Sequence, residues 1–171
     1  EVYLNGTKLA QHDGGYSTWR VNLTETLAEE NLLVIAVDNA ANERVYPQMA
    51  DFTFYGGLYR DVNVICVEES HFDLDYYGGP GIKVTPVVKG ENADVEIEAF
   101  VTKFEKGQVI RFSIWDQDGA EVAKAEALET KLTLEIPKVH LWHGRKDPYL
   151  YTAKLELVEG DRVLDAISTR F

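Results

Sequence analysis

The second half of the chain alternates between apolar and polar side chains with a period of two. Four segments show this alternation: residues 93–101, 108–116, 131–136 and 151–158. A period of two places successive side chains on opposite faces of a strand, so each segment is predicted to be a half-buried strand. Because turn pairs such as Asp118-Gly119 and Gly160-Asp161 separate short strands, and no helical period is sustained, an antiparallel β-sandwich is predicted.

Three details of this second sandwich can be predicted from single residues. Pro86 interrupts a strand pattern, and because proline has no N–H to donate, its strand is expected at a sheet edge or a bulge. Trp115 lies on a central strand and is expected in the core. Residues 121–130 contain helix-favouring Ala, Glu and Lys, but a sandwich offers a helix little to pack on, so a strand and loop are predicted.

The first part of the chain also has the pattern of a β-sandwich. Asn5-Gly6 is a strong hairpin signal, and the apolar run of residues 32–37 is predicted to be a core strand. Residues 58–67 alternate and are predicted to form a half-buried strand, with Cys66 as a small buried hydrophobe. A polar patch at residues 68–70 separates this pattern from the next, which predicts domains at residues 1–68 and 69–171.

Composition excludes several classes of protein. The 171 residues are 45% hydrophobic and 11% aromatic, as in a folded globular protein. The formal net charge of -12 would repel a phosphate backbone, which argues against nucleic-acid binding. No apolar run approaches the roughly 20 residues that span a bilayer, so no membrane partner is predicted. With a single cysteine, Cys66, no intrachain disulfide can form.

Residues 51–62 are the candidate binding segment, in which Asp51 and four aromatic rings surround the pair Gly56-Gly57. Ring faces can stack on a sugar, and an ionised carboxylate accepts hydrogen bonds from its hydroxyl groups. From residue type alone, a carboxylate that caps the loop backbone is the more common role for Asp51. Arg60 and Asp61 are expected to be a structural ion pair or hydrogen-bonded pair.

Two histidines, His140 and His143, have a spacing that would suit a metal site on a helix face. Pro137 and the surrounding pattern argue against a helix there, and no third ligand is near in the sequence. No metal site is therefore predicted.

Four motifs resemble glycoside hydrolase family 2, which includes β-galactosidases, β-glucuronidases and β-mannosidases. They match the family's sugar-binding domain in order and spacing: residues 1–6, 14–16, 31–39 and 51–62. The second half is similar to the immunoglobulin-like domain that follows in these enzymes. One departure is His140, which replaces the usual proline before Leu141-Trp142.

This resemblance implies an all-β fold in two parts. Residues 1–68 would be the latter part of a galactose-binding-like jelly-roll β-sandwich, and residues 69–171 an immunoglobulin-like β-sandwich. The chain would be a non-catalytic N-terminal portion of a β-galactosidase-type enzyme, a type that residues 71–86 favour. The family's catalytic carboxylates lie on a (β/α)₈ barrel, so no catalytic residue and no activity are expected for this piece alone.

The resemblance also assigns a role to Asp51, whose matched position favours a substrate ligand that also helps to bind a monovalent cation. The implied partners are a β-galactoside, the catalytic barrel and further copies of the enzyme. No cofactor is expected in this piece, whereas the complete enzyme would use sodium and magnesium in the bacterial cytoplasm. The alternatives are a stand-alone carbohydrate-binding module, a structural or adhesion pair of sandwiches, or a β-glucuronidase or β-mannosidase fragment.

Overall fold

A computed structural model of the chain describes residues 1–46 and 49–171. The described residues form antiparallel β-strands and one short 3-10 turn, Thr24–Thr26, so the predicted all-β fold is confirmed. None of their helical segments is long and apolar enough to cross a membrane. The chain divides into two units, Glu1–Ile65 and Cys66–Phe171. The boundary predicted from the sequence, after residue 68, lies three residues beyond this division.

The first unit contains a small antiparallel sheet in the order β2-β1-β3. Its strands are β1 (Val2–Leu4), β2 (Thr7–Ala10) and β3 (Leu33–Ile35). The predicted hairpin at Asn5-Gly6 joins β1 to β2, and both residues have the positive φ angles, 51° and 82°, that a type I′ turn requires. The Asn5 side-chain oxygen also accepts a hydrogen bond of 2.9 Å from the backbone N–H of Leu32, which fixes the start of β3.

Two predictions for the first unit are wrong. Residues 58–67 form no strand, their side chains are exposed, and Cys66 is exposed as well. The run at residues 32–37 yields only the three-residue β3, and its Leu32 is 68% exposed. Alternation or apolar content produces a strand only where a neighbouring strand supplies hydrogen bonds. The described part of the chain offers no such neighbour to residues 58–67.

The second unit is a sandwich of a three-stranded and a four-stranded sheet, with a two-stranded ribbon. The three-stranded sheet has the order β10-β6-β5, from β10 (Lys131–Ile136), β6 (Asn92–Ala99) and β5 (Ile82–Lys89). The four-stranded sheet has the order β12-β11-β8-β9, from β12 (Arg162–Arg170), β11 (Thr152–Glu159), β8 (Gln108–Trp115) and β9 (Glu121–Ala127). The ribbon pairs β4 (His71–Phe72) with β7 (Val101–Thr102).

Side chains from both sheets form one buried core. Val95 and Ile97 of β6 and Ile110 and Phe112 of β8 are at most 1% exposed, and all four belong to the same cluster. The alternating segments of the sequence are therefore the strands that were predicted. The edge position of Pro86 on β5 and the strand at residues 121–127 are also confirmed.

The predicted core position of Trp115 is wrong. In β8 the buried side chains are Gln108, Ile110, Phe112 and Ile114, at every second position. Trp115 is one residue out of phase with them and lies on the outer face, where its indole N–H donates a hydrogen bond of 2.9 Å to the Ser113 hydroxyl. A tryptophan next to a core position thus still follows the period of its strand.

A buried polar cluster ties the start of the second unit to its strands. The side-chain amide of Gln108, which is 3% exposed, donates to the Ser70 hydroxyl at 2.9 Å, and its oxygen accepts from the backbone N–H of Glu105 at 2.9 Å. The Ser70 hydroxyl in turn donates to the carbonyl of Lys103 at 2.8 Å. Each buried polar atom in this cluster therefore has a partner.

Asp165 and two ion pairs also connect residues 68–72 to the rest of the second unit. The Asp165 carboxylate accepts a hydrogen bond of 2.8 Å from the backbone N–H of Phe72. Glu68 pairs with Arg162, and Glu69 pairs with Lys103 at 2.8 Å. The Lys103 ammonium donates a hydrogen bond to Glu69 and thereby lowers the pKa of that carboxyl group.

We expect Gln108→Leu to destabilise the second unit by about 1–3 kcal/mol, because the Ser70 hydroxyl and the Glu105 N–H would lose a buried partner. Urea unfolding followed by tryptophan fluorescence measures this change. Gln117→Leu is the matched control, since Gln117 is exposed and only its backbone N–H is hydrogen-bonded. Equal unfolding midpoints for the two variants would contradict the role given to the cluster.

Candidate functional site

Residues 51–62, here called the Gly-Gly loop, present aromatic rings to solvent. Phe52 and Phe54 lie with their ring centroids 5.1 Å apart, and Tyr55 and Tyr59 with theirs 5.9 Å apart. Phe52 is 52% exposed and Tyr55 is 67% exposed. The loop therefore carries accessible apolar ring faces, the kind of surface on which a sugar stacks.

The geometry of the loop favours glycine at both positions. A Cβ atom built on Gly56 would lie 3.1 Å from the side-chain nitrogen of Asn39, so the loop backbone passes directly over that side chain. Gly57 has a φ angle of 78°, in the left-handed region that favours glycine. The motif that ends at Asn39 and the motif centred on Gly56-Gly57 are thus brought into contact in the first unit.

Arg60 links the Gly-Gly loop to a third motif. Its guanidinium carbon lies 5.9 Å from the ring centroid of Tyr16 and 5.7 Å from that of Tyr59, and its Nη1 donates a hydrogen bond of 3.4 Å to the carbonyl of Tyr16. A cation held over two rings stabilises the arrangement of the loop. The contacts of Arg60 in the described residues are therefore with Tyr16 and Tyr59, and not with Asp61 as predicted.

A shallow depression of about 360 Å³ lies beside Tyr16. Its lining combines backbone of a glycine turn with polar and aromatic side chains: Asp13, Gly14, Gly15, Tyr16, Ser17, Arg44, Val45 and Tyr46. Across it, Arg44 Nη1 lies 3.0 Å from the Asp13 carboxylate. Sequence reasoning missed this ion pair, because its members are 31 positions apart and no local pattern joins them. Pro47 and Gln48, in the irregular segment that leads to Asp51, lie outside the described residues.

Asp51 opens the Gly-Gly loop in a bend that it shares with Phe52, and its side chain is exposed. An exposed carboxylate next to an exposed ring can both accept hydrogen bonds from a sugar and lie beside an apolar sugar face. The role of Asp51 as a substrate ligand stays a prediction. Asp61, at the other end of the loop, is exposed as well.

The shifted pKa values of the first hairpin have a structural cause. The Lys8 ammonium donates a hydrogen bond to Glu1, which lowers the pKa of the Glu1 carboxyl group and raises the pKa of Lys8. The Tyr3 hydroxyl donates to the same carboxylate at 2.5 Å, and this contact raises the pKa of Tyr3. The three residues fix the first strands to one another and give no sign of acid–base chemistry.

His140 and His143 belong to a packed loop of the second unit. His140 Nε2 lies 2.5 Å from the Asp147 carboxylate, and the ring of His140 stacks on Tyr149 with centroids 4.0 Å apart. His143 donates its backbone N–H to the carbonyl of Asp147 at 2.7 Å. Among the described residues, no three His, Cys, Asp or Glu side chains are grouped to hold a metal ion. The sodium and magnesium of the complete enzyme stay a prediction.

Solved structures and characterised relatives resemble the whole chain. The fold matches an FMN-binding β-glucuronidase from Faecalibacterium prausnitzii L2-6 with a TM-score of 0.93 and 42% identity, over 99% of this chain and 27% of that one. A β-glucuronidase of Bacteroides fragilis is 25% identical over 98% of this chain and 26% of its own length. A β-galactosidase of Thermoanaerobacter pseudethanolicus is 22% identical over 96% of this chain and 23% of its own length.

The chain therefore spans about a quarter of the length of these proteins. Residues 80–171, more than half of the chain, match the family model of the glycosyl hydrolases family 2. This segment contains strands β5 to β12 and thus most of the sandwich of the second unit. The chain belongs to glycosyl hydrolases family 2.

Proposed function

We propose that the chain is a non-catalytic portion of a larger enzyme that hydrolyses terminal β-glycosides. The observation that carries this proposal is the likeness of the whole chain to the F. prausnitzii β-glucuronidase. Hydrolysis with retained stereochemistry needs two carboxyl groups about 5 Å apart that act as acid and nucleophile. Asp51 and Asp61, the exposed acids of the Gly-Gly loop, take no part in bond cleavage in this proposal, and both catalytic carboxylates lie in the rest of the polypeptide.

In this proposal the Gly-Gly loop supplies one wall of the sugar pocket. Asp51 accepts hydrogen bonds from a sugar hydroxyl, and the exposed ring of Phe52 or Tyr55 covers an apolar face of the sugar. Arg60 stabilises the loop through its contacts with the Tyr16 and Tyr59 rings, and the backbone at Gly56 lies close to the Asn39 side chain. The second unit serves as a scaffold for the catalytic domain, and the complete enzyme is proposed to be a homo-oligomer.

Terminal β-glucuronides are the substrates that we favour, with β-galactosides as the second candidate. The chain is 42% identical to the F. prausnitzii β-glucuronidase but 22% identical to the T. pseudethanolicus β-galactosidase. The resemblance of residues 71–86 to β-galactosidases supports the second candidate. The two sugars differ in the carboxylate that a glucuronide carries at C6. A substrate with this charge needs a cationic group in its pocket, and residues outside this chain can supply it.

A panel of 4-nitrophenyl β-glycosides tests the proposal. The complete enzyme is expected to release nitrophenol from the β-D-glucuronide or the β-D-galactoside much faster than from the α-anomers, which are the matched controls. The 171-residue chain alone is expected to release none. If the complete enzyme cleaved no β-glycoside while the chain alone bound sugar saturably, the chain would instead be a stand-alone carbohydrate-binding module.

We expect Asp51→Asn in the complete enzyme to lower kcat/KM for the preferred glycoside by about 10- to 100-fold. A hydrogen bond to a charged group contributes about 1.5–3 kcal/mol, and the amide keeps the shape of the side chain but loses its charge. Asp61→Asn is the control, because Asp61 is an exposed acid of the same loop. Equal kcat/KM for wild type and Asp51→Asn would leave the loop a scaffold role only.

FMN binding by the complete protein is a second candidate function, supported by the 42% identity to an FMN-binding enzyme over 99% of the chain. Flavin fluorescence of FMN is expected to change saturably as the complete protein is added. Riboflavin, which lacks the phosphate, is the control and should bind more weakly, because a phosphate offers strong charge-assisted hydrogen bonds. If the fluorescence of FMN did not respond, this second candidate would be discarded.

A further inference from the structure

A hydrogen-bond donor and an acceptor lie side by side in the depression beside Tyr16. The Nη1 atom of Arg44 is 3.0 Å from an oxygen of the Asp13 carboxylate, and the Arg44 side chain is 68% exposed. A guanidinium carries five N–H groups in a fixed plane, and a carboxylate accepts through two oxygens. Two adjacent hydroxyl groups of one sugar match this pair, because one can donate to Asp13 while the other accepts from Arg44.

The remaining lining of the depression suits the apolar parts of a sugar. The rings of Tyr16 and Tyr46 are 48% and 80% exposed, and an aromatic face packs on the C–H groups of a sugar ring. Gly14 and Gly15 have no side chains, so a ligand can approach the backbone between Asp13 and Tyr16 closely. The depression thus offers both polar and apolar contacts to one sugar ring.

The charges in the depression favour a neutral ligand. Asp13 and Arg44 carry opposite charges, so their fields oppose each other in the space that both face. An anionic group that approached Arg44 would also meet the Asp13 carboxylate, which would repel it. The depression therefore fits a neutral sugar better than a uronate or a phosphate.

The depression adjoins the Gly-Gly loop within the first unit. Tyr16 lines the depression, and Arg60 of the loop donates a hydrogen bond of 3.4 Å to the Tyr16 carbonyl. The Arg60 guanidinium also lies over the Tyr16 ring, 5.9 Å from its centroid. The two surfaces therefore share a boundary at Tyr16, and neighbouring sugars of one saccharide can occupy both.

We propose that the depression binds the neutral sugar on the leaving-group side of the bond that the complete enzyme cleaves. This inference rests on the proposed function, in which the enzyme removes a terminal β-linked sugar and Asp51 binds that sugar. Because the released sugar is the end of the saccharide, the substrate continues only on the leaving-group side. Arg44 and Asp13 thus determine specificity for the leaving group and take no part in bond cleavage.

A comparison of two leaving groups in the complete enzyme tests this assignment. The substrates are the 4-nitrophenyl β-glycoside of the preferred sugar and the disaccharide in which the same sugar is β-1,4-linked to glucose. Arg44→Gln is expected to lower kcat/KM for the disaccharide by about ten-fold, because a charged hydrogen-bond donor to the glucose is lost. The kcat/KM for the nitrophenyl glycoside, whose leaving group has no pair of hydroxyls, should stay unchanged.

Two further variants serve as controls. Arg111→Gln should leave kcat/KM for both substrates unchanged, because Arg111 also pairs with a carboxylate, that of Glu126 at 2.9 Å, but lies on β8 of the second unit. Asp51→Asn should instead lower kcat/KM for both substrates, since Asp51 binds the sugar that they share.

The outcomes separate the leaving-group site from the proposed function. If the complete enzyme cleaved neither substrate, both would be overturned. If it cleaved the nitrophenyl glycoside but not the disaccharide, or if Arg44→Gln changed kcat/KM equally for the two substrates, the leaving-group site alone would be overturned.

Discussion

The second unit depends on one layer of apolar side chains enclosed between two sheets. Val95 and Ile97 face Ile110, Phe112 and Leu155 across this layer, and all five are at most 1% exposed. Each such side chain contributes about 1.5–3 kcal/mol by leaving water. Since every second residue of a strand points into the layer, this burial fixes the face and the register of each strand, and with them the positions of the connecting loops.

The first unit is organised by different forces. Among its described residues, the buried apolar side chains are Val2 and Leu4. Its order comes from glycine turns and polar contacts. The Asn5 side chain accepts a hydrogen bond from the Leu32 N–H, and the Arg60 guanidinium lies over the Tyr16 ring. The backbone at Gly56 lies close to the Asn39 side chain. The rings of the Gly-Gly loop, such as those of Phe52 and Tyr55, are therefore exposed in the described residues.

The strands of the second unit could be predicted from the sequence because burial between sheets leaves a period-two signal in each strand. The same period-two alternation gave a wrong prediction where no second sheet or neighbouring strand buries one face of the segment. Residues 58–67 alternate but pair with no strand in the described chain, so their apolar side chains stay exposed. Trp115 shows that phase decides burial, since its size favours the core but its position in β8 places it outside.

The candidate site was only partly predictable. The Gly-Gly loop was evident because glycine pairs and clustered aromatics are local features of the sequence. The pairing of Asp13 with Arg44 and the stacking of Arg60 on Tyr16 depend on the folded path of residues far apart, and no local pattern encodes such contacts. The exposure of Trp142 also follows from tertiary structure, because the same residue type would otherwise be expected in a core.

Pro86 has a consequence for how the molecule behaves at high concentration. It lies on β5, whose one hydrogen-bonded neighbour among the described strands is β6, so the other margin of β5 is open. Val87 and Val88 beside it are half exposed and would favour stacking of one molecule on the next. A residue without an N–H interrupts the ladder that such stacking needs. By this physical argument, Pro86 disfavours the addition of a further strand at that margin of β5.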